Sequence, residues 1–158
     1  MSAPAIKTLV YATSLGKHTR PVFRHAVSLA KLYNARIIML HAIEPMAELG
    51  KEMIRAYVDE KTLQRIHDEG IQDIQQTMLQ RVKTFCEEEL DALPGIIELD
   101  IEPVVVEGNH TDAILNTAKR YQADLIVMGA QNKSGHHSHT TQQVTRYAQV
   151  PVLVVPTE

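Results

Sequence analysis

The side chains best suited to chemistry in this sequence are histidines. His136, His137 and His139 lie within four residues of one another, and His110 falls on another loop at the same edge of the expected sheet. Converging imidazoles bind zinc, nickel or copper, because a neutral ring nitrogen is a borderline ligand. Here no carboxylate or thiolate stands beside the three, and no standard zinc spacing is present. The segment therefore reads as a solvated or anion-facing loop, with no metal assigned. Ser14 and Ser138 carry hydroxyls of the kind a histidine activates as nucleophiles, but no G-x-S-x-G elbow surrounds either. His41 falls in a predicted buried strand and reads as a satisfied core histidine. Cys86, on the apolar side of a helical pattern, is expected to pack rather than react. Glu87, Glu88 and Glu89 read as a solvated helix end. No pair of acids is marked for general acid and base roles, so no catalytic residue is assigned.

The elements that must position these groups are set by the bulk properties first. A chain of 158 residues is expected to form a single domain, 1–158. Its formal net charge of -3 provides no global positive field to gather nucleic acid or an anionic membrane. The single cysteine excludes an internal disulfide. The N-terminal run lacks the basic-then-apolar layout of a signal peptide, and no apolar stretch has the length of a membrane helix. Together these point to a cytoplasmic protein without membrane insertion.

Five β-branched runs stand out: 6–12, 35–43, 99–108, 123–130 and 150–156. Their near-continuous apolarity fits strands covered on both faces, as in a parallel sheet between helices. Helix one is predicted from about Thr19 to Tyr33, with Pro21 in its first turn and an apolar stripe from Val22 through Leu29 to Leu32. The next interval predicts a helical region about thirty residues long, with Gly70 as the expected break and Pro94-Gly95 as the closing turn. Thr111 and Asp112 are the expected caps of a short third helix. A brief helix through Val144 and Tyr147 leads into the last strand. Right-handed crossovers then favour an open, doubly wound α/β sheet of order 3-2-1-4-5, which places a ligand crevice after Ala12 and after Met128.

The segments LVYATSLGKHT, ARIIMLHAIEP, VVEGNHTDAIL, ADLIVMGA and VPVLVVP, in this order and over essentially the whole chain, resemble the universal stress protein family. The resemblance implies an adenine nucleotide alpha-hydrolase-like fold. Nucleotide-binding members end the first strand with an aspartate and carry GxxGx9G(S/T) after the fourth. Glycines in such a loop let backbone N–H groups approach phosphates closely. Here Thr13 stands in the aspartate's place and Asn132 in that of the second glycine. Ser138 and His139 stand in the place of the helix-opening pair, and the loop is about four residues shorter than the family pattern. The resemblance is therefore to the universal stress protein A branch, which is not expected to hold ATP.

If an adenine nucleotide binds, the resemblance points to Thr13 and Ser14, to Ala42 through its backbone, to Gly108, and to Gly129, Asn132, Ser138, His139 and Thr140. Lys133, His139 and Thr140 would face a small anion at the last helix's N-terminus. Gly108 and Gly129 also have a plainer reading, because strands end there and the chain must turn.

The last strand is apolar on both sides, and the resemblance implies that it pairs with its counterpart in a homodimer. The expected function is a non-enzymatic stress-response module acting through dimerisation and contacts with other proteins, requiring no cofactor. The alternatives are an AMP or ADP sensor and, from another class, a slow phosphohydrolase or metal-dependent enzyme.

Overall fold

The computed structural model describes residues 3–16, 19–89, 99–130 and 139–157. In chain order the elements are β1 (Thr8–Ala12), α1 (Arg20–Tyr33), β2 (Arg36–Ile43), α2 (Glu48–Arg55), α3 (Glu60–Glu89), β3 (Ile101–Glu107), α4 (His110–Arg120), β4 (Leu125–Gly129), α5 (His139–Tyr147) and β5 (Val152–Val155). The strands pair in parallel in the order β3-β2-β1-β4-β5 expected from the sequence.

Alternate residues of one strand enter opposite cores. Leu9, Tyr11, Ile37 and Met39 pack with α1 and with Met78 and Phe85 of α3. Val10, Ile38, Leu40, Ile126 and Met128 pack with Ile114 and Ala118 of α4 and Val144 of α5. This two-sided burial is why the strand sequences are continuously apolar rather than alternating. The Asp124 carboxylate ties the start of β1 to β4 by accepting the N–H groups of Lys7 at 2.8 Å and Thr8 at 3.1 Å.

Helix α1 buries Val22, Phe23, Ala26, Val27 and Ala30. Leu32 lies off that stripe and is 75% exposed, a correction to the breadth expected from sequence. Asn34, in the left-handed region at φ 54, ends the helix.

The long helical interval breaks before Asp59, not at Gly70, which sits within α3. Asp59 supplies the reason, because its carboxylate accepts the Thr62 N–H at 2.7 Å and so caps the new helix. That hydrogen bonding holds the Asp59 carboxyl below its ordinary range. Pro94 and Gly95, the expected closing turn, lie outside the described residues. Helix α4 is capped by Asn109, whose side chain accepts from the Asp112 N–H at 3.2 Å. Thr111 and Asp112 are thus first-turn residues rather than caps.

The acidic run at the end of α3 is likewise more than a solvated face. Arg20 Nη1 meets Glu88 Oε2 at 2.6 Å, and Arg24 Nη2 meets Glu89 Oε1 at 2.7 Å. The Glu89 side chain is only 16% exposed, and its hydrogen bonds from Arg24 hold its carboxyl below the usual range. These pairs clasp the end of α3 to the first turns of α1. Cys86 beside them is half-buried against the core, and burial, with Glu87 adding repulsion, pushes its thiol pKa up. A thiol so placed is disfavoured as a thiolate nucleophile.

Between these helices Tyr11 stacks on Phe23 with centroids 5.2 Å apart, and Phe23 meets Phe85 edge-on at 4.7 Å. The Tyr11 hydroxyl donates to the Thr19 carbonyl at 3.3 Å, while burial pushes its pKa up to about 12. Tyr11 is neutral in both states below pH ~10, where its stabilisation is fully present. Between pH ~10 and ~12 the unfolded chain loses the proton that the folded chain keeps, so stability falls. Urea unfolding should therefore lose about 1.4 kcal/mol more between pH 9 and 11 in the wild type than in Tyr11→Phe. Parallel pH profiles for the two proteins would refute this.

Candidate functional site

The crest of the sheet is stepped. Ala12 is in register with Leu40 of β2 and with Met128 of β4, so the chain leaves β1 at Thr13 beside Gly129. Strands β2 and β3 run further, pairing as far as Ile43 and Glu107, and Gly108 N–H extends the ladder to the Ile43 carbonyl at 2.9 Å. The short ends of β1 and β4 thus form the floor of a recess beside a taller wall. It lies where the strand order reverses, the place at which open α/β sheets receive ligands.

At the floor, Thr13 is buried and its N–H donates to the Leu40 carbonyl at 2.9 Å. Its hydroxyl oxygen accepts the Leu15 N–H at 3.0 Å, and the Ser14 hydroxyl accepts the Gly16 N–H at 3.3 Å. Both hydroxyls therefore support their own loop, a local habit of Ser and Thr in turns. Leu15 is held at φ 59, an uncommon conformation for a bulky residue, while its side chain packs on the core. His41 is half-buried rather than fully buried, and its Nδ1 lies 2.9 Å from the Thr13 carbonyl. It is satisfied, as the sequence suggests, and it ties the end of β2 to the floor.

Ala42 lies on the wall in register with Val106. Gly108, at φ 145, adopts a backbone conformation that side-chain-bearing residues rarely reach, so its glycine has a local structural cause. Gly129 is the last residue of β4, and its carbonyl accepts the Thr141 hydroxyl at 3.0 Å. His139 and Thr140 open α5, and Asn132 and Ser138 lie outside the described residues. The structure thus brings Thr13, Ser14, Ala42, Gly108, Gly129, His139 and Thr140 to one end of the sheet.

Two residues passed over by the sequence reading organise the other rim. Gln143 Oε1 accepts the Thr111 hydroxyl at 2.9 Å, and Gln143 Nε2 lies 3.0 Å from His139 Nε2. The relay joins the first turns of α4 and α5. Its only sequence signal is the four-residue step from His139 to Gln143, which puts both on one helix face. Thr141 has no signal of its own, because its partner is a carbonyl twelve residues away. His136 and His137 lie outside the described residues, and among the described ones no three His, Cys, Asp or Glu groups gather to hold a metal. On the opposite side, His67 Nε2 pairs with Glu107 Oε1, holding α3 to the top of β3.

A parallel sheet with a recess at its switch point, lined by backbone groups and hydroxyls, defines a nucleotide-hydrolase-like α/β binding module. The universal stress protein family model matches residues 5–156, and the chain belongs to that family. It is 29% identical over 154 residues to a universal stress protein of Thermus aquaticus, covering 94% of this chain and 98% of the relative. Among solved structures, universal stress protein UspA from Lactobacillus plantarum superposes with a TM-score of 0.69 at 19% identity, covering 98% and 99% of the two chains. A universal stress protein in complex with cAMP superposes with a TM-score of 0.61 at 24% identity, covering 98% and 99%. Among the described residues no helix is long and apolar enough to cross a membrane.

Proposed function

We propose that this universal stress protein is a non-enzymatic binding and signalling module of the cytoplasm that acts as a homodimer and lacks tight ATP binding. The observation that carries this reading is the end of β1. Where nucleotide-binding relatives place an aspartate, this chain has Thr13, whose hydroxyl oxygen is engaged by the Leu15 N–H. The shortened loop after Gly129 offers fewer N–H groups to a triphosphate. The cAMP complex of a similar fold favours an adenine mononucleotide as the second reading. Among the described residues of the recess no general acid and base pair is seen, and a binding role is proposed over hydrolysis.

Dimerisation through β5 rests on the two sheet edges. In the β2–β3 ladder the even-numbered β3 residues bond to β2, so Pro103 faces outward and removes an edge donor. Within β5, Val152–Val155, no proline interrupts the outward N–H groups, and Pro156 follows only after the strand.

Calorimetry with ATP, ADP and AMP, with and without a divalent metal, tests the reading. Binding of ATP is expected to be weaker than about 100 μM, with AMP or ADP binding at least as well and no turnover. A sub-micromolar ATP dissociation constant, or release of phosphate, would overturn it. Any AMP heat should vanish in Ser138→Ala with His139→Ala while the dimer persists.

A further inference from the structure

A cavity of about 780 Å³ opens on the α1 and α3 side of the sheet, bounded by Leu15, Gly16, Thr19 and Arg20 and by residues of α3 between Gln80 and Phe85. Its size falls in the range of small-molecule sites. Phe23, Met39, Val82 and Phe85 form apolar walls, and Thr19 and Thr84 add hydroxyls. Among the described residues no aspartate or glutamate lines it, and the charged ones that do are Arg20 and Arg81. Arg20 is compensated by Glu88 and Glu89. Arg81, at the exposed mouth, donates only to the Gly16 carbonyl at 3.5 Å, and among the described residues no carboxylate lies within ion-pair reach of it. Tyr11, at the inner end, stays protonated because burial raises its pKa to about 12, so it adds no negative charge.

We propose that this cavity, which meets the recess between β1 and β4 at Thr13, is a second binding site, and that it takes a small amphipathic monocarboxylate with an aryl or medium-chain alkyl body. One uncompensated guanidinium suits one carboxylate, which it grips through two parallel hydrogen bonds. The aromatic walls suit an apolar body, whose burial supplies the remaining affinity. A polyphosphate would bring more negative charge than Arg81 alone can balance.

The probes are 2-naphthoate and octanoate, titrated into the full chain by calorimetry, with 2-naphthylmethanol and octanol as uncharged controls. Both carboxylates are expected to bind more tightly than their alcohols. Arg81→Gln, an exposed substitution that should leave the fold intact, should weaken the carboxylates roughly tenfold and the alcohols little. Thr84→Trp, which fills the cavity, should abolish both. Leu49→Lys with Met53→Lys removes the exposed apolar face of α2, where these residues are 74% and 64% exposed, and should change nothing. The proposal fails if neither carboxylate binds at millimolar concentration, if Arg81→Gln binds like the wild type, or if the α2 variant loses the heat. Saturating AMP should not displace naphthoate, and competition between them would refute two separate sites.

Discussion

Phe23→Ala is expected to lower stability by about 3–5 kcal/mol, the cost of emptying a buried aromatic site. Phe23 is 6% exposed and touches both other rings of its cluster, Tyr11 at 5.2 Å and Phe85 at 4.7 Å. One substitution therefore removes contacts among β1, α1 and α3 together. Small shifts do not refill the gap, since Tyr11 is anchored on a strand and Phe85 on a clasped helix; the walls of the neighbouring cavity widen instead. Thermal unfolding should show a Tm lower by roughly 6–20 °C. Leu32→Ala, on the same helix but 75% exposed, should stay within about 0.5 kcal/mol of the wild type. Comparable losses for the two variants would mean that the rings do not hold α1 and α3 to the sheet.

Val154→Pro is expected to convert the proposed homodimer into a monomer, weakening self-association on the order of a hundredfold. The β4–β5 ladder shows why a proline can be tolerated there. Ile126 N–H donates to the Pro151 carbonyl at 3.0 Å and Ala130 N–H to the Val155 carbonyl at 2.9 Å. In a parallel pair the residues facing the neighbour alternate, so 151, 153 and 155 bond to β4 while Val152 and Val154 direct their N–H groups to the open edge. Proline at 154 deletes a donor from that edge and leaves the β4 ladder intact. Sedimentation at several concentrations would measure the shift, with circular dichroism confirming that the sheet survives. An unchanged dimer would place the interface elsewhere.

The strand runs and their order were legible because each strand is buried on both faces, which writes nearly unbroken apolar stretches into the chain. The residues at the strand ends were legible through the family resemblance and through topology, and the register of Ala12 with Met128 brings Thr13 beside Gly129 as expected. Other features depended on partners distant in sequence. Glu89 looks like one acid in a solvated run until Arg24, 65 residues earlier, is found against it. The helix break expected at Gly70 lies before Asp59 instead, because a satisfied cap there outweighs the modest cost of one glycine inside α3. Asn109 displaced the expected caps of α4 for a related reason: the residue just outside the helix is the one whose side chain reaches the first-turn N–H groups.

By itself the sequence determined the family, the parallel sheet and its crevice, since periodicity and local turn chemistry are carried by neighbours along the chain. Only the tertiary structure decided that the Thr13 and Ser14 hydroxyls support their own loop, that Gln143 joins α4 to α5, and that Arg81 faces a cavity with no acid among its described lining residues. Hydrogen bonding and charge compensation act across space at a few ångströms. Which groups come that close is settled by how the helices seat on the sheet.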